Sequence, residues 1–155
     1  MDSWHSYPSI YALGHRALAE LLLDEVLVEE KVDGSQFSFG RFHDEDGIPR
    51  LRCRSKGAEL NLFAPEKMFK PAVEVVEALP LHVGWTYRAE YLAKPKHNAL
   101  AYDRIPDKHL ILFDVSVGHE SYLFPNQKAE EAKRLGLEVV PTLHYGRIED
   151  SAMFR

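Results

Sequence analysis

Apolar residues recur at helical spacing first in the stretch His15 to Leu23, where Leu18, Leu21 and Leu22 share one face and Gly14 stands ahead of them. The period then shortens. Val26 to Lys31 is rich in β-branched residues and ends polar, which predicts a strand, and Asp33-Gly34 follows as a turn signal. Gln36 to Arg41 alternates, with Phe37 and Phe39 facing one way. A polar turn, Asp44-Glu45-Asp46-Gly47, leads to a third strand from Arg50 to Arg54. These pieces predict an antiparallel meander. Pro65 suits the start of a helix running to about Leu79, along which Met68, Phe69, Ala72, Val73, Val76 and Leu79 form an apolar face. Pro71 lies inside that pattern and predicts a restart near Lys70. Trp85 to Leu92 and His109 to Val117 read as strands, the second with the continuous apolar centre Leu110-Ile111-Leu112-Phe113. Gly118 to Ser121 reads as a hairpin turn into Tyr122-Leu123-Phe124. Pro125 starts a helix that Gly136 ends, and Leu137 to Val140 is a last strand before Pro141. Helices and strands mix without regular alternation. The fold class is therefore α+β, mainly antiparallel sheets with flanking helices, in one domain over residues 1–155.

Composition narrows the function classes. The chain has 155 residues, 45% hydrophobic and 28% charged, as in soluble globular proteins. The greasiest run, Ala17 to Leu23, holds Glu20 and is too short to span a membrane. The first ten residues do not read as a secretory leader. A single cysteine, Cys53, excludes an internal disulfide and a multi-cysteine zinc site, and fits a reducing compartment. A net charge of −5 argues against a general nucleic-acid coat but allows local basic patches. Two are visible: Arg50, Arg52, Arg54 and Lys56, and Lys94, Lys96, Arg104 and Lys108. Strand alternation sends the first four to one face and Leu51, Cys53 and Ser55 to the other. The eight histidines show no zinc spacing, and there is no phosphate-loop or dinucleotide glycine motif. A metal-binding set is not legible.

The sharpest chemistry lies in Glu30-Lys31-Val32-Asp33-Gly34. Residues two apart on a strand share a face, so Lys31 and Asp33 converge on one ligand. Gly34 serves either a tight turn or close approach of a phosphate. Taken alone the motif is weak, since an exposed lysine before an Asp-Gly turn has the same letters.

Its context is specific. Tyr7-Pro8-Ser9-Ile10, Leu13-Gly14-His15-Arg16 and Glu30 to Phe37 resemble the ATP-dependent RNA ligase family, the phage-type covalent lysyl-AMP nucleotidyltransferases. The resemblance continues in order through Arg54-Ser55-Lys56-Gly57, Tyr87-Arg88-Ala89-Glu90-Tyr91-Leu92, Lys94 to Asn98, Tyr102 to Pro106, and Leu110 to Val115. It implies an ATP-grasp-like nucleotidyltransferase domain that uses ATP and Mg2+ and seals RNA 3′-hydroxyl and 5′-phosphate ends, nicked or single-stranded. It further implies a cytoplasmic setting, in a bacterial cell or a phage-infected host. Residue by residue, Lys31 matches the nucleophile, Asp33 an essential acid, and Glu90 the acceptor for ribose hydroxyls. Glu30 matches the position whose backbone reads adenine, and Phe113 the ring that stacks on it. Arg54 matches the ribose and phosphate contact, with Lys56 as the alternative because the family order is Ser-Arg and this chain has Arg-Ser-Lys. Two later family motifs, a Glu-Gly strand and a Lys-x-Lys strand, are not matched after Val115. The expectation is a C-terminally incomplete domain, truncated, split or a relic, with weak or no activity. The alternatives are a noncatalytic nucleotide- or RNA-binding remnant, or a DNA ligase or capping-type enzyme.

Overall fold

The computed structural model describes residues 4, 5, 7, 26–29, 34–92, 106–119 and 121–146, with the side chains of 26–28, 107 and 142–146 left aside. The predicted helix from His15 to Leu23 lies outside the described residues, as do Glu30, Lys31, Asp33 and the stretches 94–98 and 102–105. The chain forms two compact units: Met1–Ser6 with Val32–Val139, and Tyr7–Lys31 with Val140–Arg155.

In the second unit, β1 (Val26–Glu29) pairs antiparallel with β8 (Thr142–Gly146), with Val26 opposite Gly146. The meander expectation therefore fails at its first step. β1 does not form a hairpin with the strand after Asp33-Gly34; its partner is more than a hundred residues away, where the short mixed run after Pro141 gave little signal.

The first unit holds β2 (Ser35–His43), β3 (Pro49–Ser55), α1 (Lys70–Glu77), β4 (Thr86–Tyr91), β5 (Leu110–Gly118), β6 (Ser121–Tyr122), α2 (Pro125–Leu135) and β7 (Glu138–Val139). Its sheet runs β3-β2-β4-β5-β6, and β7 pairs with β5 in parallel. β2 and β3 form the expected hairpin. Gly47 has φ 75 and its N–H donates to the Asp44 carbonyl, 3.0 Å away. The connection through α1 then carries the chain to the other edge of β2, where β4 pairs with it. The architecture is α+β with mainly antiparallel sheet and two helices.

Alternation builds the core. Phe37 and Phe39 of β2, Cys53 of β3, Tyr87, Ala89 and Tyr91 of β4, and Leu110, Leu112 and Val115 of β5 are buried together. Ala72, Val73 and Val76 of α1 and Ala132 and Leu135 of α2 pack into the same cluster. Phe39 lies nearly parallel to Tyr87, with ring centroids 5.4 Å apart. α1 begins at Lys70, later than Pro65, because Pro71 has no N–H to bond the preceding turn and suits only the first turn of a new helix. α2 runs as expected from Pro125, and Gly136 closes it with φ 71. No helix among the described residues is long and apolar enough to cross a membrane.

Candidate functional site

The sheet face opposite the core is unusually polar. Register places Arg54 of β3 opposite Ser38 of β2, Ser38 opposite Arg88 of β4, and Arg88 opposite Asp114 of β5. These four residues form one row across four strands. A second row joins Gln36, Glu90 and Ile111. Ser38, Thr86, Arg88 and Ser116 are buried. A guanidinium is almost never this deeply buried without acceptors. Here its Nε donates to the Ser116 hydroxyl at 3.4 Å, and a carboxylate residue stands opposite it in register. Sequence reasoning passed over Arg88, although its spacing of two from Glu90 puts both on one strand face.

Glu90 is half-buried, and its Oε2 accepts the backbone N–H of Gly34 at 3.1 Å. This bond joins two sequence motifs 56 residues apart. It also explains the glycine in a way neither expected reading did. Gly34 is not in the left-handed backbone region. Instead, a Cβ there would stand 2.6 Å from the Tyr91 carbonyl oxygen and 3.2 Å from the Leu92 side chain. Close approach of β4 demands glycine there.

Arg54 is half-buried on the polar row, whereas Lys56 is exposed beyond the end of β3. Trp4, another residue missed from sequence, packs beside Arg54. Its ring centroid lies 5.0 Å from the Arg52 guanidinium and 6.0 Å from that of Arg54. The indole N–H donates to Glu59 at 3.1 Å, and Arg52 bonds the same carboxylate. The Arg52 hydrogen bond is the main reason the Glu59 carboxyl titrates below its ordinary range. Arg50 is paired likewise with Asp44. Burial pushes the Cys53 thiol up to about 12, so it stays protonated at neutral pH and is no nucleophile.

Phe113 sits at a break in the β4–β5 ladder. Arg88 faces Asp114 and Ala89 faces Leu112, so Phe113 is the extra residue of a β-bulge. The bulge shifts alternation, which is why core positions run Leu110, Leu112 and then Val115. Phe113 is half-buried and stands outside the core cluster of the described residues, contrary to what its apolar neighbours suggest. The structure thus joins Gly34 to Glu90, and sets Arg54, Ser38, Arg88 and Asp114 along one row of the sheet. Lys31, Asp33 and Glu30 lie outside the described residues. Among the described residues, no group of three or more histidine, cysteine or carboxylate side chains is placed to hold a metal ion.

A comparison with curated proteins finds no match. The family profile of RNA ligase matches residues 24–153, a span that contains the Lys31 motif, the polar row and the bulge. The chain belongs to the RNA ligase family.

Proposed function

We propose that this chain binds ATP on the polar face of the first unit's sheet, transfers AMP to Lys31, and seals RNA 3′-hydroxyl and 5′-phosphate ends. The observation that carries the reading is the Glu90–Gly34 bond. It ties the carboxylate matched to ribose recognition to the motif that contains the lysine. Three groups suit ATP. Phe113 offers an aromatic side chain at a bulge, the kind of distortion that re-aims a residue beside an active site. Glu90, when ionised, is an acceptor suited to ribose hydroxyls. Arg54 stands on the same polar face, where a guanidinium can pair with phosphate oxygens. Its place on that row supports Arg54 over the exposed Lys56 as the phosphate contact.

Mg2+ fits as an ion carried with the nucleotide. It binds through one or two carboxylates, phosphate oxygens and water, and needs no preformed three-carboxylate cage. Glu90 and Asp114 supply carboxylates on this face. When bound, the ion would neutralise charge on the phosphates.

The chemistry balances in three displacements. The neutral Lys31 amine attacks the α-phosphorus of ATP; a P–N bond forms, the bond to the bridging oxygen breaks, and pyrophosphate leaves while the amine loses a proton. An RNA 5′-phosphate oxygen then attacks the same phosphorus; a P–O bond forms, the P–N bond breaks, the lysine amine leaves and takes up a proton, and the RNA end carries the AMP cap. An RNA 3′-hydroxyl finally attacks the capped phosphate, forming the phosphodiester and releasing AMP. The test is incubation with ATP, Mg2+ and an RNA carrying both end groups. Slow formation of AMP-capped RNA and sealed product is expected, in keeping with the two unmatched family motifs. ATP binding with neither product would make the chain a noncatalytic remnant.

A further inference from the structure

We propose that Lys128 is a positioning residue that fixes the Phe113 bulge and so sets the ring that meets the adenine; the functional part of this inference rests on the ATP reading above. The observation is a gap in the sheet. On one side of β5, Phe113 has no counterpart on β4, because the ladder passes from Leu112 to Asp114. On the other side, β7 pairs with Ile111 and Leu112, while β6 pairs with Ser116 and Gly118. Phe113 therefore falls between the two short strands that cover that edge. A backbone carbonyl at a break in the ladder gains from a donor supplied by a neighbouring element.

α2 supplies one. Lys128 Nζ donates to the Phe113 carbonyl oxygen at 3.0 Å. Lys128 is only 4% exposed, on a helix whose neighbouring Asn126, Glu130 and Lys133 are exposed. A lysine that could reach solvent does so unless a specific acceptor holds it inside. Here the buried amine reaches a distorted point of the sheet, one residue before Asp114 of the polar row. Holding that carbonyl fixes the peptide plane between Phe113 and Asp114. It thereby constrains the backbone that carries the aromatic side chain.

The experiment is a double-substitution cycle read by ATP affinity, with inorganic tripolyphosphate as a probe that has no base. Lys128→Met keeps the stem and removes the donor. Phe113→Leu is expected to weaken ATP roughly three- to ten-fold through lost stacking. Lys128→Met should weaken ATP to a similar degree, leave tripolyphosphate unchanged, and add nothing in the double variant. Loss of affinity for both probes, or additive losses, would mean a merely structural role and overturn the inference. If Phe113→Leu weakens ATP but Lys128→Met does not, the inference fails and the ATP reading stands. If neither matters, the ATP reading fails and takes the inference with it. A second measurement needs no variant: scalar coupling across the hydrogen bond between Lys128 Nζ and the Phe113 carbonyl carbon in the labelled chain. Its presence is expected, and its absence would overturn the proposal even where Lys128→Met does not fold.

Discussion

Replacing Gly34 with alanine sets two opposing effects against each other at the motif glycine. An alanine narrows the unfolded ensemble and, where the backbone tolerates it, stabilises by about 0.4–1 kcal/mol. Gly34 is not in the left-handed region, so backbone conformation alone raises no objection. Space does. The new Cβ would stand 2.6 Å from the Tyr91 backbone oxygen, a distance real Cβ atoms do not reach, and 3.2 Å and 3.3 Å from Leu92 side-chain atoms. The 2.6 Å neighbour is the backbone of the last residue of β4, paired with Ser35 on one side and Leu110 on the other, so it cannot swing aside as a side-chain tip would. Overpacking of this kind costs roughly 1–3 kcal/mol. Any shift that relieves it also pulls the Gly34 N–H away from Glu90, a bond to a carboxylate whose loss costs about 1.5–3 kcal/mol. The clash wins, and Gly34→Ala should destabilise by about 1–3 kcal/mol net. For a chain of this size that lowers the melting temperature by roughly 2–10 °C. Urea denaturation with thermal melting measures it. A variant as stable as the parent, or more stable, would show that β4 yields freely at Tyr91 and refute the reasoning.

Tyr87→Phe keeps the ring beside Phe39 but removes the hydroxyl that donates to Glu131 at 2.6 Å and accepts the His82 N–H at 3.0 Å. It should cost about 1.5–3 kcal/mol at neutral pH, read by denaturant melts. Burial alone would push the Glu131 carboxyl up, but hydrogen bonds from Arg134 and Tyr87 outweigh it and hold it below its ordinary 4.5. A depressed carboxylate stabilises the fold above the unfolded value and stops doing so as pH falls through the folded one. The Tyr87→Phe penalty should therefore shrink below pH 4.5, and a constant penalty down to the acid limit would contradict this. Trp4→Leu removes the donor to Glu59 and the ring beside Arg52 and Arg54, and should lower stability by about 2 kcal/mol and weaken ATP binding. Unchanged ATP affinity would show that Arg54 does not depend on this packing.

The central sheet was legible because its strands alternate and carry clear punctuation. Phe37 and Phe39 marked the core face of β2, Gly47 its turn, and Pro125 and Gly136 the ends of α2. Pairing was less legible than strand position. β1 joins β8, and β4 lies beside β2, because partner choice depends on contacts far apart in sequence. The bulge was hidden in the continuous run Leu110 to Phe113, which alternation cannot parse. Glu90 and Arg54 stood out by motif, and the structure puts them on the polar face. Arg88, Trp4 and Lys128 did not stand out, since burial decides their meaning and nothing local announces it. The weight on Lys31 and Asp33 comes from the motif and the family match.

The most direct measurement locates AMP on the protein. A reference lysine titrates near pH ~10.4, so only about one amine in a few thousand is neutral at pH ~7 unless the site depresses its pKa. The chain is incubated with ATP and Mg2+ from pH ~7 to ~10 and digested, and the modified peptide is identified by mass spectrometry, with Lys31→Ala alongside. The account predicts AMP on Lys31 alone, more of it as pH rises and free amine becomes common, and none on Lys31→Ala. AMP on another residue with Lys31→Ala still labelled, or no adduct at any pH, would contradict it.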